Sequence, residues 1–122
     1  MTRIEILKGI TWRTILKVML TSDEYKFVED DVREFFSYRD GLPIEARNAV
    51  LIRVILLKKS DFNVAYLRRT QESFVAARLM SAPVIIAQFD RWHDNQRKLG
   101  KNIKIEPDWM PEYIENLRLL EK

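Results

Sequence analysis

The densest group of side chains that could do chemistry is a set of four carboxylates, Glu29, Asp30, Asp31 and Glu34. Asp30 and Glu34 are four residues apart, so on a helix they share one surface. Helical bundles that bind two metal ions also use Glu-x-x-His motifs from other helices, and this sequence contains none. We therefore interpret the group as a solvated acidic face, with docking of a basic partner as the alternative.

The other residue types that commonly catalyse reactions are scarce. His93 is the single histidine, and it stands beside Trp92 without a recognisable Ser–His–carboxylate pattern, so we interpret it as structural or superficial. The absence of cysteine excludes disulfides, thiol nucleophiles and thiolate metal sites. The three glycines, Gly9, Gly41 and Gly100, are too isolated to form a phosphate-binding loop. We predict a non-enzymatic protein without a metal or cofactor.

Basic side chains are concentrated in one part of the chain. Residues 53–104 contain eleven basic and four acidic residues, a net charge of +7, whereas the whole chain carries +3. Because the charges are dispersed, we interpret them as ordinary solvated helix faces; an acidic partner, either a nucleic acid, an acidic protein or an anionic membrane surface, is the alternative. The side chains that could form a nucleic-acid surface are Arg68, Arg69, Arg78, Arg91, Arg97 and Lys98.

Hydrophobic spacing and capping residues predict an all-α, single-domain bundle of five or six helices. The predicted helices cover residues 3–20, 22–39, 43–59, 61–80 and 82–99, with a short last helix after Asp108. We divide residues 1–122 into a three-helix part, 1–59, and a C-terminal part, 60–122, with an extended connector near 101–107. Residues 49–57 also allow a buried strand, and we favour a helix because residues 45–49 lead into them without a break.

Capping residues define several of the predicted helix ends. Thr2 with Glu5 and Thr21 with Glu24 have the spacing of capping boxes, and Ser60-Asp61 is a candidate cap for the fourth helix. In the segment 32–43, we expect Gly41 to end one helix as a C-terminal cap and Pro43 to start the next.

No stretch approaches the roughly 18 apolar residues that a membrane span needs. The N-terminus also lacks the apolar run and cleavage site of a signal peptide. We therefore predict an intracellular protein without a membrane span.

Residues 11–57 resemble the LYR-motif family of small mitochondrial helical proteins. Thr11-Trp12-Arg13 stands where that family has a Leu-Tyr-Arg triplet, and the segment 32–42 is similar to a downstream family segment containing an Arg and a Phe. The resemblance implies an accessory or assembly subunit of a mitochondrial respiratory complex that binds an acidic acyl carrier protein. Arg13 would carry over as the motif arginine and Phe36 as the downstream phenylalanine, with Lys17 and Arg47 as basic residues facing the carrier.

A second candidate contact surface lies near the C-terminus. Trp109, Met110 and Tyr113 follow the extended connector, and aromatic side chains are common anchors at interfaces. We predict that they form a docking segment, with folding back onto the core as the alternative. The predicted function is therefore a helical interaction protein within a larger assembly; a basic nucleic-acid-binding protein is the alternative.

Overall fold

The computed structural model describes residues 3–37, 41–58, 62–100 and 119, and those residues form an all-α bundle without strands. The six helices are α1 (Arg3–Gly9), α2 (Trp12–Met19), α3 (Ser22–Ser37), α4 (Ile44–Lys58), α5 (Val64–Ala76) and α6 (Ala82–Lys98). The predicted fold class is confirmed. The predicted last helix, after Asp108, and the connector at 101–107 lie outside the described residues.

Helix α4 is the centre of the bundle. It contacts α1, α2, α5 and α6, while α3 packs against α2 and α5. Every residue from 46 to 55 is buried, which is why its sequence is apolar almost all round. Each fully buried Val, Leu or Ile side chain contributes about 1.5–3 kcal/mol. The preference for a helix over a buried strand at 49–57 is therefore confirmed.

The prediction of one continuous helix over 3–20 is wrong, because two helices occupy that range. Helix α1 ends at Gly9, and α2 begins after Thr11. The Thr11 hydroxyl accepts a hydrogen bond from the backbone N–H of Thr14 at 3.3 Å, which satisfies one of the donors that a helix start leaves open. The chain therefore turns between two short helices.

The buried side chain of Asn48 holds this turn from the core. Its Nδ2 donates hydrogen bonds to the carbonyl of Leu7 at 2.7 Å and of Ile10 at 3.1 Å. Carbonyls at a helix end have no partner within the helix, and buried ones are costly unless they find another. Asn48 thus donates the hydrogen bonds that these two carbonyls lack after the helix is interrupted.

The capping box at the start of α3 is confirmed. The backbone N–H of Thr21 donates to the Glu24 carboxylate at 2.8 Å, and the Glu24 N–H donates to the Thr21 hydroxyl at 3.2 Å. These hydrogen bonds stabilise the charged carboxylate and lower the pKa of Glu24. Thr2, of the other predicted capping box, lies outside the described residues.

Gly41 has a different role from the predicted helix cap. Its φ is not in the left-handed region that such a cap requires. A Cβ atom there would instead lie 2.6 Å from Arg47 Nη2 and 2.6 Å from Gln71 Oε1. Gly41 is therefore needed for the close approach of two side chains. Pro43 directly precedes α4, and its carbonyl accepts from the N–H of Arg47 at 2.9 Å.

The predicted bounds of 61–80 for the fourth helix are too wide. Local hydrogen bonds make α5 begin later and end earlier, at Val64–Ala76. The Asn63 side chain caps the start by accepting from the N–H of Tyr66 at 2.9 Å, whereas Ser60 and Asp61 lie outside the described residues. At the other end, the Leu79 N–H donates to the Phe74 carbonyl at 2.9 Å, and that of Arg78 donates to Val75 at 3.0 Å. This is a Schellman motif, with Arg78 in its left-handed position at φ 60°.

Helix α6 follows the prediction for 82–99 closely. Pro83 lies in its first turn, where the missing N–H costs nothing. Gly100 follows the helix with a φ of 76°, the left-handed conformation that glycine adopts without strain.

Candidate partner-binding site

The hairpin of α2 and α3 carries the best candidate site. Ile15 and Leu16 bury one side of α2, and Val28, Val32 and Phe35 bury one side of α3. Because the two helices run back along each other, the start of α2 meets the end of α3. The remaining sides of both helices therefore form one continuous surface.

An aromatic and cationic cluster occupies one end of this surface. The rings of Trp12 and Phe36 stack with centroids 6.4 Å apart and an interplanar angle of 25°. The Cζ atom of Arg13 lies 4.4 Å from the Trp12 ring centroid, and that of Arg33 lies 5.8 Å from it. We call Trp12, Arg13, Arg33 and Phe36 the Trp12 cluster. Guanidinium groups over an indole face are attracted by its electron density, and this attraction holds Arg13 and Arg33 against Trp12.

An open cleft of about 330 Å³ occupies the other end of the surface. We call it the α2–α3 cleft, and its lining residues are Lys17, Leu20, Thr21, Ser22, Tyr25, Lys26 and Glu29. Arg33 joins it to the Trp12 cluster, since Arg33 Nη2 lies 3.2 Å from the Glu29 carboxylate at the cleft wall. Arg33 Nη1 also contacts Asp30 at 2.8 Å.

Cations outnumber anions around this surface. Arg13, Lys17 and Lys26 are exposed, and within the described part of the chain none of the three forms an ion pair. Glu29 is the single carboxylate among the lining residues of the cleft. The surface as a whole combines half-buried aromatic rings with a positive rim.

Arg47 lies behind the site and not at its mouth. It is 6% exposed, and its guanidinium donates to the carbonyls of Leu42 at 2.6 Å, Phe35 at 3.2 Å and Phe36 at 3.0 Å. Burial lowers the pKa of Arg47, because an apolar environment disfavours the charged form. Its side chain fixes the end of α3 that carries Phe36, so it positions the Trp12 cluster from the core.

The structure thus brings Arg13 and Phe36 together through Trp12, and places Lys17 in the adjoining cleft. Trp109, Met110 and Tyr113, the predicted docking segment, lie outside the described residues.

The six residues of the predicted nucleic-acid surface have different environments. Arg68 forms an ion pair with Glu34 at 3.4 Å, and the Arg69 guanidinium lies 5.8 Å from the Tyr66 ring centroid. Arg78 is exposed after α5, while Arg91 and Lys98 are exposed on α6. Arg97 belongs to α6, but its side chain, like that of His93, is outside what the structure describes.

Sequence reasoning did not select Trp12, Tyr25, Lys26 or Arg33 as partner-binding residues, although Trp12 and Arg33 belong to the two segments compared with the LYR-motif family. For Arg33 a signal existed, because Glu29 and Asp30 stand four and three residues before it and such pairs mark a helix surface. The contact between Trp12 and Phe36 has no local signal, since it depends on how α2 folds back on α3.

Two classes of site find no support in the described ranges. No three His, Cys, Asp or Glu side chains there converge to hold a metal ion. No helix in the same ranges is both long and apolar enough to cross a membrane.

The chain is similar in sequence, over most of its length, to a phage protein. An uncharacterized 16.1 kDa protein of Acholeplasma phage L2 is 30% identical to it over an alignment of 129 positions, covering 94% of this chain and 92% of the phage protein. The chain belongs to the family of that phage protein. No family model matches the sequence, and no solved structure matches it. The similarity extends over nearly the whole length of both chains.

Proposed function

We propose that this protein is a non-enzymatic interaction protein that binds an acidic protein partner through its α2–α3 surface, as an accessory or assembly subunit of a larger complex. One observation carries the proposal: Arg13 and Arg33 both adjoin Trp12, which stacks on Phe36 beside a cleft that contains Lys17 and Lys26. Aromatic and arginine side chains dominate binding energy at protein interfaces.

The charges of the surface favour this class of partner. The exposed cations leave a net positive rim, and complementary charge steers diffusional encounter and suppresses unsuitable partners. The apolar part comes from Trp12, Phe36, Leu20 and Tyr25, all half-buried and therefore able to lose further contact with water on binding. Such a surface combines an apolar centre with a polar rim, the common anatomy of an interface.

The resemblance to the LYR-motif family narrows the proposed partner to an acyl carrier protein, which is acidic. In that version Arg13, Lys17 and Phe36 contact the carrier, while the buried Arg47 positions Phe36 by donating a hydrogen bond to its carbonyl. A mitochondrial respiratory location rests on this resemblance alone, because the relative with full-length similarity is a phage protein.

Binding of a purified acyl carrier protein, and of a glutamate-rich amphipathic helical peptide, tests the proposal by fluorescence anisotropy. Arg13→Glu reverses a charge on the rim and should weaken binding about tenfold or more, an effect that added salt reduces. Lys8→Glu is the matched control, because it reverses an exposed cation on α1 away from the site. Absence of binding to both probes, or equal loss with the two variants, would contradict the proposal.

Nucleic-acid binding is a second candidate, and one cluster favours it. Lys58 Nζ lies 4.2 Å from the Tyr66 ring centroid, and Arg69 approaches the same ring. Arg91 and Lys98 add exposed cations on α6. Titration of a DNA duplex and an RNA at increasing salt tests this candidate: binding should fall steeply with salt, and Arg91→Ala should reduce the slope by about one. No binding at low salt would exclude it.

A further inference from the structure

Helix α3 has two unlike sides. Tyr25 and Phe36 face α2 and border the site described above. Phe27 follows Tyr25 by two residues, and helical geometry turns it about 160° away. It is 87% exposed, more than any other large hydrophobic side chain in the described ranges. An aromatic ring this exposed gains the most from contact with a partner.

Carboxylates surround Phe27 on the helix surface. Asp23 and Glu24 precede it by four and three residues, and Asp30 and Asp31 follow it by three and four. Residues at these spacings are neighbours on a helix. Phe27 is therefore an apolar knob within an acidic collar, a combination that suits a cationic recess.

The α2–α3 cleft is such a recess. Its volume of about 330 Å³ lies at the lower end of the range for small-group binding pockets, roughly 300–1,000 Å³. Leu20 and Tyr25 line it with apolar surface, and Lys17 and Lys26 line it with positive charge that complements the collar carboxylates.

We propose that the α2–α3 cleft of one molecule receives Phe27 of a second copy of this chain. Asp23 and Asp31 of the Phe27 collar then pair with Lys17 and Lys26 of the receiving molecule, because Asp30 already contacts Arg33 and the Glu24 carboxylate caps the start of α3. This inference rests on the proposed function, since it uses the same surface and names a partner for it. The knob and the cleft occupy different sides of α3, so the contact is head-to-tail. Each added molecule leaves one cleft and one Phe27 free, and assembly continues until a ring closes or a filament forms.

Sedimentation velocity over a series of protein concentrations tests the inference with two complementary variants. Phe27→Ala removes the knob and keeps the cleft, whereas Lys17→Glu reverses a charge in the cleft and keeps the knob. Each should weaken self-association about tenfold or more relative to the unmodified chain. Leu99→Ala is the control, because it truncates another strongly exposed apolar side chain, 71% exposed, directly after the end of α6. Circular dichroism spectra of all three variants, compared with that of the unmodified chain, test whether each variant is folded.

Mixing the two defective variants gives the sharpest outcome. Phe27→Ala supplies an intact cleft and Lys17→Glu an intact knob, so an equimolar mixture should form a one-to-one dimer that does not grow further. Oligomers of the unmodified chain should shrink as salt is added, since the contact is partly electrostatic. A mixture that stays monomeric while the unmodified chain assembles would overturn the head-to-tail contact.

The same measurements separate this inference from the proposed function. If the unmodified chain is monomeric at every concentration yet binds the acidic probes through Arg13, the second-copy inference is wrong and the proposed function stands. If it assembles through Phe27 and Lys17 without binding either probe, the self-contact stands and a foreign acidic partner is excluded.

Discussion

Two pairs of arginines in this chain differ in what surrounds them. Arg47 and Arg53 lie on the central helix α4 and are 6% and 0% exposed, whereas Arg13 and Arg33 lie on the surface of the α2–α3 hairpin. Backbone carbonyls hold Arg47, while the indole ring of Trp12 receives the exposed pair. The comparison shows that position in the bundle, not residue type, decides whether a guanidinium stabilises the fold or is available to a partner.

The largest expected difference is between Arg47→Ala and Arg13→Ala. Removing Arg47 takes charged hydrogen bonds from three carbonyls, each such bond being worth about 1.5–3 kcal/mol, and leaves buried acceptors without a donor. We expect the free energy of unfolding to fall by about 4 kcal/mol. Arg13→Ala removes an exposed cation–π contact and should cost about 0.5–1 kcal/mol. Urea denaturation measures both, and equal losses would break the comparison.

This difference also shows how far the sequence could predict the molecule. The period of apolar residues predicted α3 and α6, because each buries side chains at helical spacing, whereas α4 is buried from 46 to 55 and was predicted from the residues that lead into it. The capping pair Thr21 and Glu24 was predictable because its hydrogen bonds are local. The interruption of the first helix was not, since Asn48 stabilises it from 38 residues beyond Ile10.

The candidate site was predictable only in part, for the same reason. The resemblance to the LYR-motif family selected Arg13 and Lys17, and both are exposed on α2. Arg47 could not be distinguished from them, because its burial depends on hydrogen bonds to the carbonyls of Phe35, Phe36 and Leu42, which are distant in sequence or outside any helical pattern. The stacking of Trp12 on Phe36 likewise arises only when the hairpin forms.

Gly41→Ala tests the buried arginine of this comparison in another way, because it crowds the Arg47 side chain without removing it. The added methyl group would lie 2.6 Å from both Arg47 Nη2 and Gln71 Oε1. Neither atom can move freely, because Arg47 holds three carbonyls and Gln71 accepts from the N–H of Leu42 at 3.2 Å. We expect a loss of about 2 kcal/mol in thermal or urea unfolding.

Gly9→Ala is the matched control for that substitution. A methyl group at Gly9 meets nothing within 4 Å. Because alanine favours a helix over glycine, this change should leave stability unchanged or raise it by up to about 1 kcal/mol. A similar loss at both positions would mean that crowding against Arg47 is not the cause.

The second buried arginine depends on charge more than on carbonyls. The Arg53 Cζ lies 5.1 Å from the Phe89 ring centroid, and burial lowers the pKa of Arg53 to about 10 while the negative charge of Asp90 opposes the shift. Asp90→Asn should therefore cost about 1–2 kcal/mol, and Arg53→Met in the same chain should recover most of it. Full loss in the double variant would show that Asp90 acts independently of Arg53.

The pH dependence of this pair has a defined sign. Arg53 is charged in the folded and unfolded chain at neutral pH, so the cost of Asp90→Asn should be constant between about pH 6 and 8. Above the folded pKa of about 10, the unfolded chain binds the proton more tightly than the folded one. The contribution of Arg53 to stability should then rise with pH, which unfolding of the unmodified chain and of Arg53→Met at matched pH would measure.

Arg78 belongs to neither pair and gives the smallest expected effect. It is exposed at the C-terminal end of α5 with a φ of 60°, a position in the Schellman motif that glycine usually occupies. Arg78→Gly removes the strain of the left-handed backbone and should raise stability by about 0.5–1 kcal/mol, after the larger entropy of an unfolded glycine is subtracted. Arg69→Gly, inside the same helix, should instead lower it by about 1 kcal/mol. If Arg78→Gly destabilises the protein, the Arg78 side chain contributes more to stability than its backbone strain costs. Arg78 would then be a structural arginine, as Arg47 and Arg53 are.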